Sequence, residues 1–179
     1  GKGLRAMARH VRSGDPSNVE ARAARVYWKL LFEKNFRRGR DEGGPNPLLN
    51  YGYAVRRAAV ARFIVAAGMH PALGLHHGNQ YNPFCLADDL MEPLRPLVDL
   101  RAHRIWDESD GRAELDRDTK RELLEILGDD CLLGERRFPL MTALQHYAAG
   151  IRKRIEGEDV DLEIPWPVEE RELVGAPER

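Results

Sequence analysis

Two Asn-Pro pairs, Asn46-Pro47 and Asn82-Pro83, each precede a run of helical periodicity and commit much of this chain to helices. An asparagine side chain accepts from the free N–H groups of a first turn, and a proline just inside the start gives up no hydrogen bond. The first pair predicts a helix to Ala67, closed by Gly68, which readily takes the left-handed turn at a helix end. The second opens a helix that must kink or break at Pro93 and Pro96. Upstream, Ser17 with Glu20 three residues later fits a capping box. Val19, Ala23, Val26, Tyr27, Leu30 and Leu31 then recur at helical spacing towards Phe36. Downstream, Asp118-Thr119 opens a helix from Lys120 to Leu127, closed by Gly128, and a last helix runs from about Pro139 to Ile155. No stretch shows strong strand alternation. The fold class expected is all-α, a single helical bundle domain of about six helices. Residues 1–17 are expected as a linker or short basic helix, 18–155 as the helical domain and 156–179 as an acidic tail.

A chain of 179 residues is long enough to bury its own core. Its net charge of −1 conceals a gradient. Residues 1–45 carry eleven Lys and Arg against five Asp and Glu, whereas 156–179 carry two Arg against nine acids. The basic front attracts phosphate and the acidic end repels it. Two cysteines, Cys85 and Cys131, are too few for a disulfide framework, and their apolar neighbours suit buried thiols. No run approaches the ~18 apolar residues of a membrane span, and no apolar leader is seen at the N-terminus. A cytoplasmic location is therefore expected, with no membrane partner. No Gly-rich phosphate loop of the P-loop or dinucleotide type is present.

The chemistry concentrates between residues 74 and 99. Asp88, Asp89 and Glu92 share one helix, and either aspartate shares a face with Glu92. Such acids repel unless a cation or an arginine offsets them. Arg95, three beyond Glu92, offers the simpler pairing. His76 and His77 lie in the loop from Met69 to Tyr81; being adjacent, they point different ways, so at most one is a ligand. Glu20 is either the acidic member of a cap on Ser17 or a ligand. Histidine with carboxylates and no paired cysteines suits Mg²⁺ or Mn²⁺ better than structural zinc. Arg56 and Arg57, beside Val60 and Phe63, form a solvated face or contact phosphate. Trp166, between Pro165 and Pro167, is expected to pack the tail onto the body.

Four blocks in order carry a resemblance: Glu20-Ala-Arg-Ala-Ala-Arg-Val-Tyr27, Asn46-Pro-Leu-Leu-Asn-Tyr-Gly-Tyr53, Gly68-Met-His-Pro-Ala-Leu-Gly-Leu-His-His77 and Leu86-Ala-Asp-Asp-Leu-Met-Glu-Pro-Leu-Arg-Pro-Leu-Val-Asp99. Together they resemble the CRISPR adaptation integrases of the Cas-one family, closest to the subset that accompanies type II effectors. The resemblance implies a metal-dependent DNA endonuclease and integrase that inserts spacer DNA into a repeat array. It implies Glu20, His77 and Glu92 as catalytic metal ligands for Mg²⁺ or Mn²⁺. His77 is chosen because the family's histidine stands three residues after the glycine, here Gly74. Asp89 becomes a nearby acid, and Arg22, Arg25, Arg37 and Arg38 become phosphate contacts. The implied partners are double-stranded DNA (spacer precursor and repeat), a second copy in a homodimer, and a small ferredoxin-like CRISPR adaptation protein. Two departures stand out. Position 56 is Arg where the family suggests an apolar residue. Nothing strand-like precedes residue 18, where the family has a β-rich dimerising domain, so the chain reads as the C-terminal helical domain alone. The alternative is a non-catalytic helical scaffold that binds DNA or a protein.

Overall fold

The computed structural model of the chain describes residues 2–11, 15–76 and 78–168, the side chains of Lys2 and Arg5 excepted. Among them are seven α-helices: α1 (Lys2–Ala8), α2 (Val19–Leu31), α3 (Asn46–Ala66), α4 (Cys85–Met91), α5 (Arg95–Glu108), α6 (Arg117–Glu125) and α7 (Leu140–Ile155). The 21-residue α3 is the axis of the fold, with α4, α5, α6 and α7 packed around it. Its buried residues, among them Leu48, Leu49, Tyr53, Val60 and Ile64, therefore follow no single stripe. Gly52 permits the closest approach. A Cβ there would stand 2.5 Å from Val98 Cγ1 of α5, well inside contact distance. None of the helices described is long and apolar enough to cross a membrane.

The start signals are used differently from the expectation. The Ser17–Glu20 capping box does not form. The Asp15 carboxylate accepts from the N–H groups of both Val19 and Glu20 at 2.8 Å, so it takes the Glu20 N–H that Ser17 would have accepted from. Asn46 is the first residue of α3 rather than its cap. Only 1% exposed, it accepts from Gly39 N–H and Arg38 and donates to the Arg37 and Gly43 carbonyls, fastening the loop before α3. Helix α6 starts earlier than expected, because Asp116 caps it by accepting from Thr119 N–H at 2.8 Å. The break expected at the prolines is one 3₁₀ turn, Glu92–Leu94, between α4 and α5. Pro93 and Pro96 lack the N–H that an unbroken helix would require.

The all-α expectation is wrong. Strands β1 (Asp130–Leu133) and β2 (Arg136–Pro139) form an antiparallel hairpin with Leu133 opposite Arg136. Gly134, at φ 59°, opens its two-residue turn, where a positive φ is needed and glycine supplies it. Strand β3 (Trp166–Pro167) pairs on the other side of β1, giving the order β2-β1-β3. The fold is thus mixed: helices around α3 plus a small antiparallel sheet. The tail does attach through Trp166, but by strand pairing opposite Leu132, with Pro165 buried beside it. Residues 169–179, the rest of the expected acidic tail, lie outside the described residues. Both cysteines are buried, as expected, and burial pushes the Cys131 thiol up to about 11.

Arg56 is neither a solvated residue nor a phosphate contact. It is 1% exposed, and its Nε and both terminal nitrogens have no hydrogen-bond partner among the described residues. Burial brings its guanidinium down to about 10, so it stays charged at neutral pH. A buried cation without partners opposes folding. Replacement by a well-packed apolar residue of similar length should therefore stabilise the chain. Arg56→Met is expected to raise the urea midpoint, with a gain of about 1–4 kcal/mol in unfolding free energy if it behaves like other buried charges replaced by hydrophobes. A lowered midpoint would show that the arginine is supported where it sits.

Candidate metal and nucleic-acid site

The region begins with a carboxylate missing from the predicted site set. Asp99, on α5 and 2% exposed, accepts at Oδ2 from the Tyr27 hydroxyl of α2 at 2.7 Å and at Oδ1 from the Tyr53 hydroxyl of α3. Arg38 and Arg95 each lie 5.3 Å from the centre of the Tyr53 ring, placing two cations against the same cluster. Burial pushes the Asp99 carboxyl above its ordinary value, while the two tyrosine hydroxyls and both arginines pull it part of the way back. Burial is also the main reason the Tyr53 hydroxyl is raised. The sequence carried a signal for this cluster: an acid inside the apolar run Pro96-Leu-Val-Asp99-Leu, with two tyrosines at matching places in the earlier blocks.

This bond fixes the register of two predicted ligands. Glu20 stands two turns before Tyr27, on the same face of α2. Glu92 stands two turns before Asp99 along α5 and the 3₁₀ turn that feeds it. Both carboxylates are exposed, and neither has a hydrogen bond or ion pair among the described residues. The simpler readings of each are therefore not realised. Ser17 is not capped by Glu20, and Arg95 lies over Tyr53 rather than paired with Glu92.

The other two acids are engaged. Arg57 Nε pairs with Asp88 Oδ1 at 2.9 Å, Asn82 Nδ2 donates to Asp88 Oδ2 at 2.7 Å, and Arg57 donates to Asn82 Oδ1 at 3.0 Å. Arg57 also lies 4.5 Å above the Phe84 ring, so it is a tie between α3 and the start of α4. Asp89 Oδ2 accepts from the backbone N–H groups of Leu75 and His76 at 2.7 and 2.9 Å. The acid expected merely near the site thus anchors the loop that carries the histidines. His76 is exposed, and His77 itself lies outside the described residues. Among the described residues no three His, Cys, Asp or Glu side chains are grouped to hold a metal ion. Each of the two exposed carboxylates, Glu20 and Glu92, is a hard oxygen donor of the kind Mg²⁺ or Mn²⁺ prefers.

Of the predicted phosphate contacts, Arg22, Arg25 and Arg37 are exposed. Arg38 is half-buried and engaged: it donates to the Gly39 carbonyl and Asn46 Oδ1 at 3.0 Å and lies against Tyr53.

Known proteins share this sequence and fold. The family model described as "CRISPR associated protein Cas1" matches residues 6–124. A CRISPR-associated endonuclease Cas1 from Neisseria meningitidis serogroup C (strain 8013) is 39% identical over 165 residues, 92% of this chain and 54% of that protein. A CRISPR-associated endonuclease Cas1 2 from Pyrobaculum aerophilum is 35% identical over 101 residues, 55% of this chain and 34% of that protein. The chain thus spans about half the length of the first of these relatives and a third of the second. Among solved structures, one titled "Casposase bound to integration product" has the same fold, with a TM-score of 0.69 at 19% identity over 85% of this chain and 50% of that one.

The Asp99 cluster makes a prediction with a definite sign. Its carboxyl titrates higher in the fold than in the unfolded chain, where it is near the ordinary 3.8. The fold therefore binds this proton more tightly, and the associated stability is complete below that value and lost as pH rises through the raised one. Asp99→Asn keeps an acceptor and removes the titration. Urea unfolding across pH 4–7 should show wild type losing stability relative to Asp99→Asn as pH rises. Each tenfold by which the fold holds the proton more tightly than the unfolded chain is worth about 1.4 kcal/mol of that loss. Asp99→Ala should cost more at every pH, about 1–3 kcal/mol for each buried hydroxyl left without a partner. A difference between wild type and Asp99→Asn that does not change with pH would contradict the assignment.

Proposed function

This chain belongs to the CRISPR associated protein Cas1 family, and on that premise we propose that it is the catalytic domain of a metal-dependent DNA endonuclease and integrase. In this reading it joins spacer DNA to a repeat array by phosphodiester transfer, as part of antiviral defence. The observation that carries the proposal is the sorting of the acids. Asp88 and Asp89 hold the scaffold, while Glu20 and Glu92 remain exposed without partners among the described residues.

Glu20, Glu92 and His77 hold the cation in this proposal, and Asp89 keeps the histidine loop against α4. A bound Mg²⁺ or Mn²⁺ supplies Lewis-acid neutralisation of the charge that develops on the phosphoryl oxygens. Transfer at phosphorus needs chiefly positioning and charge stabilisation, so the scaffold's contribution is register. The Tyr27–Asp99 bond provides it by locking α2 to α5. Arg22, Arg25 and Arg37 neutralise phosphates flanking the reacting one and read no bases. Arg38 assists from beside Tyr53. The longer protein works in this reading as a homodimer with a small ferredoxin-like partner, the assembly implied by the family resemblance.

Two measurements test the proposal. Calorimetric titration with Mn²⁺ should show Glu20→Ala, Glu92→Ala and His77→Ala each weakening binding by about tenfold or more, with His76→Ala close to wild type. Metal-dependent nicking or strand transfer should fail in the same three variants. Binding to duplex DNA should weaken steeply with salt, and each of Arg22→Ala, Arg25→Ala and Arg37→Ala should reduce the log–log slope by about 0.9. Metal binding unchanged in all three ligand variants would leave a non-catalytic scaffold as the better description.

A further inference from the structure

The end of α2, the loop that follows it and Trp106 of α5 enclose a cleft of about 290 Å³. Three of its lining residues are aromatic: Phe32, Phe36 and Trp106, each half-buried. Neighbouring rings hold Phe32 in place, with Phe36 centred 4.7 Å away, His103 of α5 at 5.6 Å and Trp28 at 6.2 Å. Gly43 and Gly44 also line the cleft and put no side chain into it. A Cβ at Gly44 would stand 4.0 Å from the Trp106 indole. The loop is fastened, because the buried Asn46 amide donates to the Arg37 and Gly43 carbonyls at 2.9 Å. The space is therefore built into the fold.

Two carboxylates line it as well, Glu33 and Glu42, both exposed and without a hydrogen bond or ion pair among the described residues. Gly39 makes room for Glu42, since a Cβ there would meet the Glu42 Cγ at 2.5 Å. Arg37 is the one basic side chain in the lining. The chemistry selects the occupant. Aromatic faces attract a cation, and more strongly where water is partly excluded. Two unpaired carboxylates add to that attraction and repel a phosphate chain. The volume lies below the roughly 300–1,000 Å³ of small-molecule sites and suits a single long side chain. An alkyl stem that packs on apolar surface and ends in a positive charge meets all three conditions.

We propose that this cleft docks a lysine or arginine side chain of a protein partner, its stem against Phe32, Phe36 and Trp106 and its charged head at Glu33 and Glu42. The inference stands apart from the metal-site reading, because none of these five residues is a proposed ligand or phosphate contact.

The test uses the full 179-residue chain labelled with 5-fluorotryptophan, which gives three fluorine signals, one for each tryptophan. Trp106→Phe assigns the signal of the cleft. The probes are acetyl-Gly-Arg-Gly-amide and its lysine analogue, with the citrulline and norleucine peptides as neutral counterparts. A cationic peptide should shift the Trp106 signal saturably, with at least about fivefold higher affinity than its neutral counterpart. Phe36→Leu, which keeps apolar bulk and removes the ring, should weaken that binding about fivefold. Glu33→Gln with Glu42→Gln should weaken it about threefold or more. Arg37→Gln removes the like charge, so it should tighten the peptide while weakening duplex DNA. No saturable shift with either cationic peptide overturns the proposal, as does equal affinity for the neutral ones. Unchanged affinity in the Phe36 and Glu33/Glu42 variants overturns it too, by placing the peptide elsewhere. Tighter binding of adenosine monophosphate than of either cation would make the cleft a nucleobase site. Self-association in sedimentation that Trp106→Ala abolishes would make a second copy the occupant; either result overturns the partner assignment and leaves the metal-site reading standing.

Discussion

Asp99 belongs to α5 but takes hydrogen bonds from Tyr27 on α2 and Tyr53 on α3, so three helices meet at one buried carboxylate. A hydrogen bond tolerates only a few tenths of an ångström and a narrow range of angles. Hydrophobic contact between α2 and the body would allow sliding along the axis; two hydroxyls on one carboxylate do not. Buried polar groups are costly unless satisfied, so this arrangement is defined as well as permitted. Glu20 and Glu92, each two turns before a member of the cluster, inherit their positions from it.

The same logic explains the division of labour among the acids. Asp88, Asp89 and Glu92 lie within five residues of one another and would repel if all stood free; Glu20 is the fourth candidate acid. The fold neutralises one with Arg57, turns a second onto backbone N–H groups, and leaves two without partners among the described residues. The engaged pair does structural work: Asp88 ties α3 to α4, and Asp89 secures the histidine loop.

Arg56 is coupled by charge to the small sheet as well as to Asp99. Arg56 feels Cys131 of β1 and Asp129 just before it, close enough that both favour its charge. No described residue supplies a hydrogen bond to the guanidinium. It is the clearest local conflict in a core built mainly from Leu, Ile, Val and Ala.

The sequence by itself determined most of the helices and their order, because helical periodicity and end signals act within a few residues. Even there the ends moved: Asp15 and Asp116 do the capping, and Asn46 fastens a loop. The sheet was not legible, because β1 is a short apolar run, β2 carries two arginines and a proline, and β3 is two residues long. Such segments become strands only through pairing with each other, and β3 lies more than 30 residues along the chain from β1. The candidate acids were legible as a group; which of them are free was not. That depended on whether Arg95 turned to Glu92 or to Tyr53, and whether Asp89 faced solvent or the N–H groups of Leu75 and His76. Those choices were made by the packing of α3, α4 and α5, since a long side chain takes whichever partner the assembled helices bring within reach.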